Sequence, residues 1–145
     1  MSPLIGFINY ICDQHLEAAG AEILRVSRQV KLPLLKPFSH LQEAELWAAT
    51  IKRLKDMAES LTKGTYLEEQ KELIRQIETT KLGGISKEDF TQVDLTMIFA
   101  VRRIAFRKFL PLYTKDVELV VEIMNDLEQM HVELQELAYD VLFRA

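Results

Sequence analysis

A single cysteine, Cys12, is all that this 145-residue chain contains. One thiol can form neither an intrachain disulfide nor a thiolate zinc site, and sparing use of cysteine suits a reducing cytosol. No apolar run approaches the roughly 20 residues that a helix needs to cross a bilayer. The N-terminus has Asp13 and Glu17 and no basic stretch, so we predict no signal peptide. The sequence thus predicts a cytoplasmic protein without a membrane span.

Positive charge is also in short supply. Eighteen Lys and Arg residues stand against 22 Asp and Glu, for a net charge of -4, whereas proteins that bind nucleic acid normally have a basic excess. Apolar residues make up 48% and charged residues 28%, which is typical of a globular protein and excludes a disordered one. The length fits one domain, residues 1–145, and we expect no nucleic-acid partner.

Glycine and proline are few, with five and four copies, and they fall between segments of helical periodicity. No segment alternates as a strand does, so the sequence predicts an all-α, globin-like helical bundle of about five to six helices. We expect a bend within the first segment at the small residues 18–21, and one helix from Thr91 to Tyr113. The other expected breaks lie at Pro33, Pro37, Gly64, Gly83, Gly84 and Pro111.

The last segment, residues 115–145, has neither Gly nor Pro and predicts a long C-terminal helix. Its apolar residues are three and four apart, and a second apolar row beside the first makes the face wide. Because this face is wider than a small domain usually covers, we expect a homodimer in which the final helix and Leu127 take part. The helical pattern runs to the last residue, so either a downstream signalling domain follows or the domain acts alone.

Signatures of enzymes are missing as well. The sequence has no Gly-rich phosphate loop, no HExxH, no nucleophile elbow and no carboxylate cluster with metal spacing, so we expect neither catalysis nor a metal. Cys12 and His15 are three residues apart on one helix and could form a nucleophile pair, but no third residue orients them. A buried, inert Cys12 is the ordinary interpretation.

One arginine has an unusual position in the helical pattern. Leu95, Phe99, Arg102, Phe106 and Phe109 form one helical stripe with spacings of four, three, four and three, and Arg102 is its only charged member. In one interpretation the stem lies on the core while the guanidinium reaches solvent or an acid. In the other, Arg102 holds the acid head of an amphiphilic ligand whose tail lies in an apolar cavity.

The walls of such a cavity would be aromatic. The candidate ligand-binding residues are Arg102, Phe99, Phe106, Phe109 and, on the final helix, His131. His131 occupies a core-type position, so a structural histidine is its ordinary interpretation. Trp47 is likewise expected to be a core anchor, with a pocket wall as the alternative.

The order of these segments resembles a known family. The stretch "LIGFINYICDQHLEAAGAEIL", a middle helical pair, "GISKEDFTQVDLTMIFAVRRIAFRKFL" and the long terminal helix are similar to the non-haem globin sensor domains. These domains occur in RsbR-type stressosome proteins of the bacterial stress response, in sensor kinases and in anti-sporulation sensors. The resemblance implies a globin-like fold without haem, a dimer, a last helix that leads to an output domain, and in some members a fatty-acid-like ligand.

The positions of the histidines also argue against haem, independently of the resemblance. A globin holds its iron through a proximal histidine before the last two helices, and no histidine occurs between His40 and His131. We therefore expect no cofactor. The leading hypothesis is a non-catalytic sensory domain of bacterial signalling, with a fatty-acid-like ligand and output through the last helix. A ligand-free helical dimerisation or interaction module is the alternative.

Overall fold

Helices account for nearly all of the residues that the computed structural model describes, which are 2–30, 42–77, 88 and 91–143. Within these ranges there is no β-strand, and six helices of 12 to 27 residues accompany one single turn of helix. The prediction of an all-α bundle with a long C-terminal helix is confirmed. The helices are α1 Ser2–Gln14, α2 Leu16–Gln29, α3 Glu43–Lys63, α4 Tyr66–Ile77, α5 Gln92–Arg107, α6 Leu110–Tyr113 and α7 Val117–Phe143.

The N-terminal segment does divide into two helices, but the predicted place of the break was wrong. The helix is interrupted at His15, with φ -139° and ψ 25°, while the small residues 18–21 continue α2. These small residues instead allow α2 and α3 to approach each other. A Cβ on Gly20 would lie 2.6 Å from Cδ1 of Ile51 and 3.6 Å from Nε1 of Trp47. Close helix packing, not a bend, therefore explains the small residues.

Gly64 ends α3 as predicted. It adopts φ 76° and ψ 18°, a left-handed conformation that glycine reaches without steric cost, and its N–H donates to the carbonyl of Leu61. The chain can therefore turn at once into α4, which begins at Tyr66. The breaks predicted at Pro33, Pro37, Gly83 and Gly84 lie outside the described residues.

The segment predicted as one helix from Thr91 to Tyr113 is two helices. Thr91 caps α5 in a reciprocal pair with Asp94, each side chain accepting from the other residue's backbone N–H at 3.0 Å. The helix ends at Arg107, and Pro111 lies in the first turn of the short α6. A missing N–H is harmless there, because the first N–H groups of a helix have no partner within it. Pro111 thus helps to begin a helix.

The core lies around α1 and α7. Helices α1, α4 and α5 all pack against α7, and α1 also packs against α3. Leu127 on α7 is only 1% exposed, so the wide apolar stripe from which we expected a dimer contact is core at this residue. The described helices include none with the length and hydropathy to span a bilayer. The largest fully buried side chains include Leu4, Phe7, Ile8, Ile11, Phe106, Ile123, Met130 and Leu134.

Candidate functional site

Arg102 lies half-buried on the inner side of α5. Its neighbours on the stripe, Phe99 and Phe106, are buried, so the stem of Arg102 rests on the core. Its guanidinium donates from Nη1 to the hydroxyl of Tyr66 at 2.8 Å. Tyr66 is the first residue of α4 and is itself buried, so the hydrogen bond joins the start of α4 to the middle of α5.

No carboxylate of the described residues forms an ion pair with Arg102. Its neighbour Arg103 does have one, at 3.0 Å from Glu128 on α7. Within the described residues the structure therefore shows no ion pair of Arg102, and its guanidinium is bonded to the buried hydroxyl of Tyr66. A phenolic hydroxyl is a neutral partner, so no carboxylate of the described residues is paired with the positive charge of Arg102.

A second arginine adds to this positive charge. The side chain of Arg53, on α3, reaches solvent, but protein atoms surround it closely enough that desolvation, followed by the positive charge of Arg102, lowers its pKa. Arg53 also has no carboxylate partner among the described residues. Two guanidinium groups that repel each other, with no acid of the described residues paired to either, favour an anion electrostatically.

His131 closes the inner side of this region. The side chain is 0% exposed, and its ring centroid lies 5.0 Å from that of Phe99. Burial, followed by the charges of Arg102 and Arg103, lowers its pKa from 6.5 to about 3, so the imidazole is neutral at pH 7. Neither ring nitrogen has a hydrogen-bond partner within the described part of the chain. The structure thus brings Arg102, Phe99 and His131 together.

The remaining predicted wall residues are packed side chains. Phe106 is 1% exposed and belongs to the main core. Phe109 follows the end of α5 and is also buried, but its ring lies against His15 at 5.6 Å, beside Tyr10 of α1. Phe109 is two helical turns further along the stripe than Arg102. Phe106 and Phe109 are therefore core side chains of the stripe.

Cys12 and His15 do not form a pair. The Cys12 thiol donates to the carbonyl of Leu54 at 3.5 Å, whereas His15 contacts the hydroxyl of Tyr10 at 2.9 Å. Burial, followed by the negative charge of Asp13, raises the pKa of the Cys12 thiol. Since the thiolate is the nucleophile, this environment makes Cys12 unreactive.

Trp47 lies in a pocket wall, which was the alternative expectation to a core anchor. It is half-buried and lines a surface cleft between α2 and α3 instead of anchoring the core. At the mouth of this cleft Arg28 pairs with Glu43, so the charges there are balanced. This balance distinguishes the cleft from the region around Arg102. Its other described lining residues are Ala21, Leu24, Arg25 and Ala44.

Comparison of the chain with protein-family models, curated proteins and solved structures found no match. Within the described ranges, no group of three or more His, Cys, Asp or Glu side chains could hold a metal ion. The role proposed for the site therefore rests on the geometry of its own residues. The distinguishing feature of the site is a pair of arginines, Arg53 and Arg102, without an acidic partner in the described ranges, with Tyr66, Phe99 and His131 near Arg102.

Proposed function

We propose that this chain is a non-catalytic sensory domain of bacterial signalling, which binds an anionic amphiphile at Arg102. The observation that carries the proposal is the positive charge of Arg53 and Arg102 at the edge of an apolar core, to which no carboxylate of the described ranges is paired. A planar guanidinium matches the two oxygens of a carboxylate, and within the described residues that of Arg102 is bonded to a neutral hydroxyl, that of Tyr66. A fatty-acid-like molecule offers an acid for the arginines and an apolar tail for the Phe99 side of the stripe.

The resemblance to non-haem globin sensor domains supports this assignment. An all-α bundle with a 27-residue terminal helix is compatible with such a domain. The globin-like arrangement, the role in a stress response and the absence of haem are parts of the proposal. In the proposed mechanism, the ligand draws the guanidinium of Arg102 away from Tyr66 and so alters the packing of α4 and α5 against α7.

The long helix α7 is well placed to carry the output. It contributes His131 to the inner side of the site, and Glu128 and Glu133 pair with Arg103 of α5 and Lys71 of α4. A change in the spacing of α4 and α5 therefore reaches α7 through direct contacts. A domain or partner protein that reads the position of α7 would then receive the signal.

The test is Arg102→Met, measured with palmitate and with the matching C16 alcohol. Met fills the place of the stem and no acid is stranded, so the fold should persist, with a loss of about 1–3 kcal/mol for the hydrogen bond to the buried Tyr66 hydroxyl. Loss of charge-assisted hydrogen bonds worth roughly 1.5–3 kcal/mol should weaken palmitate binding by at least about tenfold. Binding of the alcohol should be unchanged.

Arg75→Met serves as the matched control, because Arg75 is a half-exposed arginine on α4 that pairs only with Glu72 in the described structure. It should leave both ligands unaffected. Equal palmitate binding by the wild type and by Arg102→Met would contradict the assignment of the anchor. A wild-type protein that binds neither ligand would contradict the ligand itself.

A ligand-free interaction module, with the homodimer as its simplest form, is the second candidate function. The observation that favours it is the exposure of apolar side chains on α7, where Val117 is 73% and Val121 50% exposed. Light scattering at tens of micromolar tests it, since a dimer mass in the absence of any ligand would favour the module. Leu127→Glu is not a test of the interface, because Leu127 is core and its replacement would unfold the monomer.

A further inference from the structure

His131 is a fully buried histidine whose hydrogen-bonding groups have no partner within the described part of the chain. Both of its ring nitrogens are buried and unpaired there. Asp94 also has a buried oxygen without a partner, but its other oxygen accepts hydrogen bonds from the N–H and the hydroxyl of Thr91. Buried polar groups in native proteins are normally hydrogen-bonded, because an unpaired one destabilises the fold. The imidazole is therefore expected to have a partner that the described residues do not supply.

The position of His131 places this unpaired group beside the proposed ligand. The centroids of the His131 and Phe99 rings are 5.0 Å apart, and Phe99 precedes Arg102 by three residues on the same face of α5. Three residues correspond to about 4.5 Å along a helix. An acid held at Arg102, with its chain along Phe99, therefore passes the imidazole within its first few carbon atoms.

The chemistry of the imidazole decides what it can bind. Burial, followed by the charges of Arg102 and Arg103, lowers the pKa of His131 to about 3, so the ring is neutral at pH 7. A neutral imidazole has one N–H donor and one acceptor nitrogen. A methylene chain can pair with neither, whereas a hydroxyl group both donates and accepts. A second carboxylate matches less well, because it would bring a further charge into the core.

We propose that His131 is a specificity-determining residue, which selects an acid with a hydroxyl group close to its carboxylate over the plain fatty acid. Arg102 holds the carboxylate, the imidazole of His131 hydrogen-bonds the hydroxyl, and the rest of the chain lies along the apolar side of the stripe. This inference rests on the proposed function, since it concerns the ligand of the same site.

The experiment compares palmitate, 3-hydroxypalmitate and 16-hydroxypalmitate as ligands of the full chain at neutral pH, by isothermal titration calorimetry. The wild type should bind 3-hydroxypalmitate about tenfold more tightly than palmitate, as expected for one hydrogen bond to a buried group that is otherwise unpaired. In 16-hydroxypalmitate the hydroxyl is at the far end of the chain. This acid should show no such gain, so it controls for a general effect of the hydroxyl group.

His131→Leu should abolish the preference, so that palmitate and 3-hydroxypalmitate bind this variant with a Kd ratio of about one. The ratio is the readout, because a general change in the site affects both acids alike. Met130→Leu is the matched control. It alters a buried neighbour on the same helix without touching the imidazole and should keep the tenfold ratio. Circular dichroism checks that each variant keeps its helices.

The outcomes separate this inference from the function on which it rests. Equal Kd values for palmitate and 3-hydroxypalmitate in the wild type overturn the inference and leave the proposed function standing; an imidazole that pairs only with an internal water would give this result. A preference that persists in His131→Leu, or that 16-hydroxypalmitate shares, overturns it as well. If the wild type binds none of the three acids, the proposed function fails and the inference fails with it.

Discussion

The buried imidazole of His131 should make the domain less stable as the pH falls. Burial, followed by the charge of Arg102, lowers its pKa from 6.5 to about 3. In the unfolded chain the imidazole takes up its proton near pH 6.5, so between about pH 6.5 and 3 the unfolded state binds more protons than the folded state. The free energy of unfolding is therefore unaffected by His131 above this pH window, and it decreases as the pH falls through the window.

The magnitude follows from the width of the window. Each pH unit below about 6.5 costs about 1.4 kcal/mol, so the free energy of unfolding should fall by about 2 kcal/mol between pH 7.5 and 5 on account of His131 alone. The full shift, reached near pH 3, corresponds to about 5 kcal/mol. A loss of about 2 kcal/mol is a large share of the stability of a small domain.

Urea unfolding at about pH 7.5 and about pH 5 measures this loss in the wild type and in His131→Leu. Leu has a similar size and no proton to take up, so the variant should lack the decrease of about 2 kcal/mol. It should also be at least as stable at the higher pH, because it removes two ring nitrogens without partners in the described structure. Met130→Leu, a buried neighbour that does not titrate, should keep the wild-type pH dependence. Parallel pH dependences of the wild type and His131→Leu would refute a depressed pKa.

Three further outcomes are expected. Thr91→Ala should lower the free energy of unfolding by about 1 kcal/mol through loss of the α5 cap, more than Thr96→Ala does on the exposed side of the same helix; urea denaturation compares them. Gly20→Val should cost about 1–3 kcal/mol by forcing α2 from α3, whereas Gly20→Ala, whose Cβ would displace chiefly the flexible side chain of Ile51, should cost less in thermal melts. Protein prepared with excess haem should show no Soret band, and a stoichiometric band that vanished in a His131 variant would contradict this.

Local sequence signals predicted the helices well where a single residue decides the local conformation. Gly64 is such a case, since the chain there needs a left-handed residue. The signals failed where packing decides. The small residues 18–21 were predicted to form a bend, yet they allow α2 to lie close to α3. Pro111 was predicted to end or kink a helix, yet it lies in the first turn of α6. Small residues can mark a bend or a close helix contact, and proline can end or begin a helix. Which role applies depends on the packing of the neighbouring helix.

The site was predictable only along the helices that contain it. Helical spacing placed Arg102 beside Phe99, and the heptad pattern placed His131 in the core. Tyr66 and Arg53 were not predicted, because they come from α4 and α3 and reach Arg102 only through the tertiary fold. The role of Leu127 was misjudged for a related reason. A wide apolar stripe shows how much surface must be covered, but not whether the same chain or a second copy covers it.

The proposed route from Arg102 to α7 depends on packing more than on charge. The ion pairs that tie α7 to its neighbours, Arg103 with Glu128 and Lys71 with Glu133, are partly exposed, and such pairs contribute about 0–1 kcal/mol each. Buried contacts of α7, such as that between His131 and Phe99, belong to a close-packed interior, and such interiors transmit displacement because they compress little. A ligand at Arg102 can therefore shift α7 only by repacking these side chains, because the surface ion pairs are too weak to hold or release the helix.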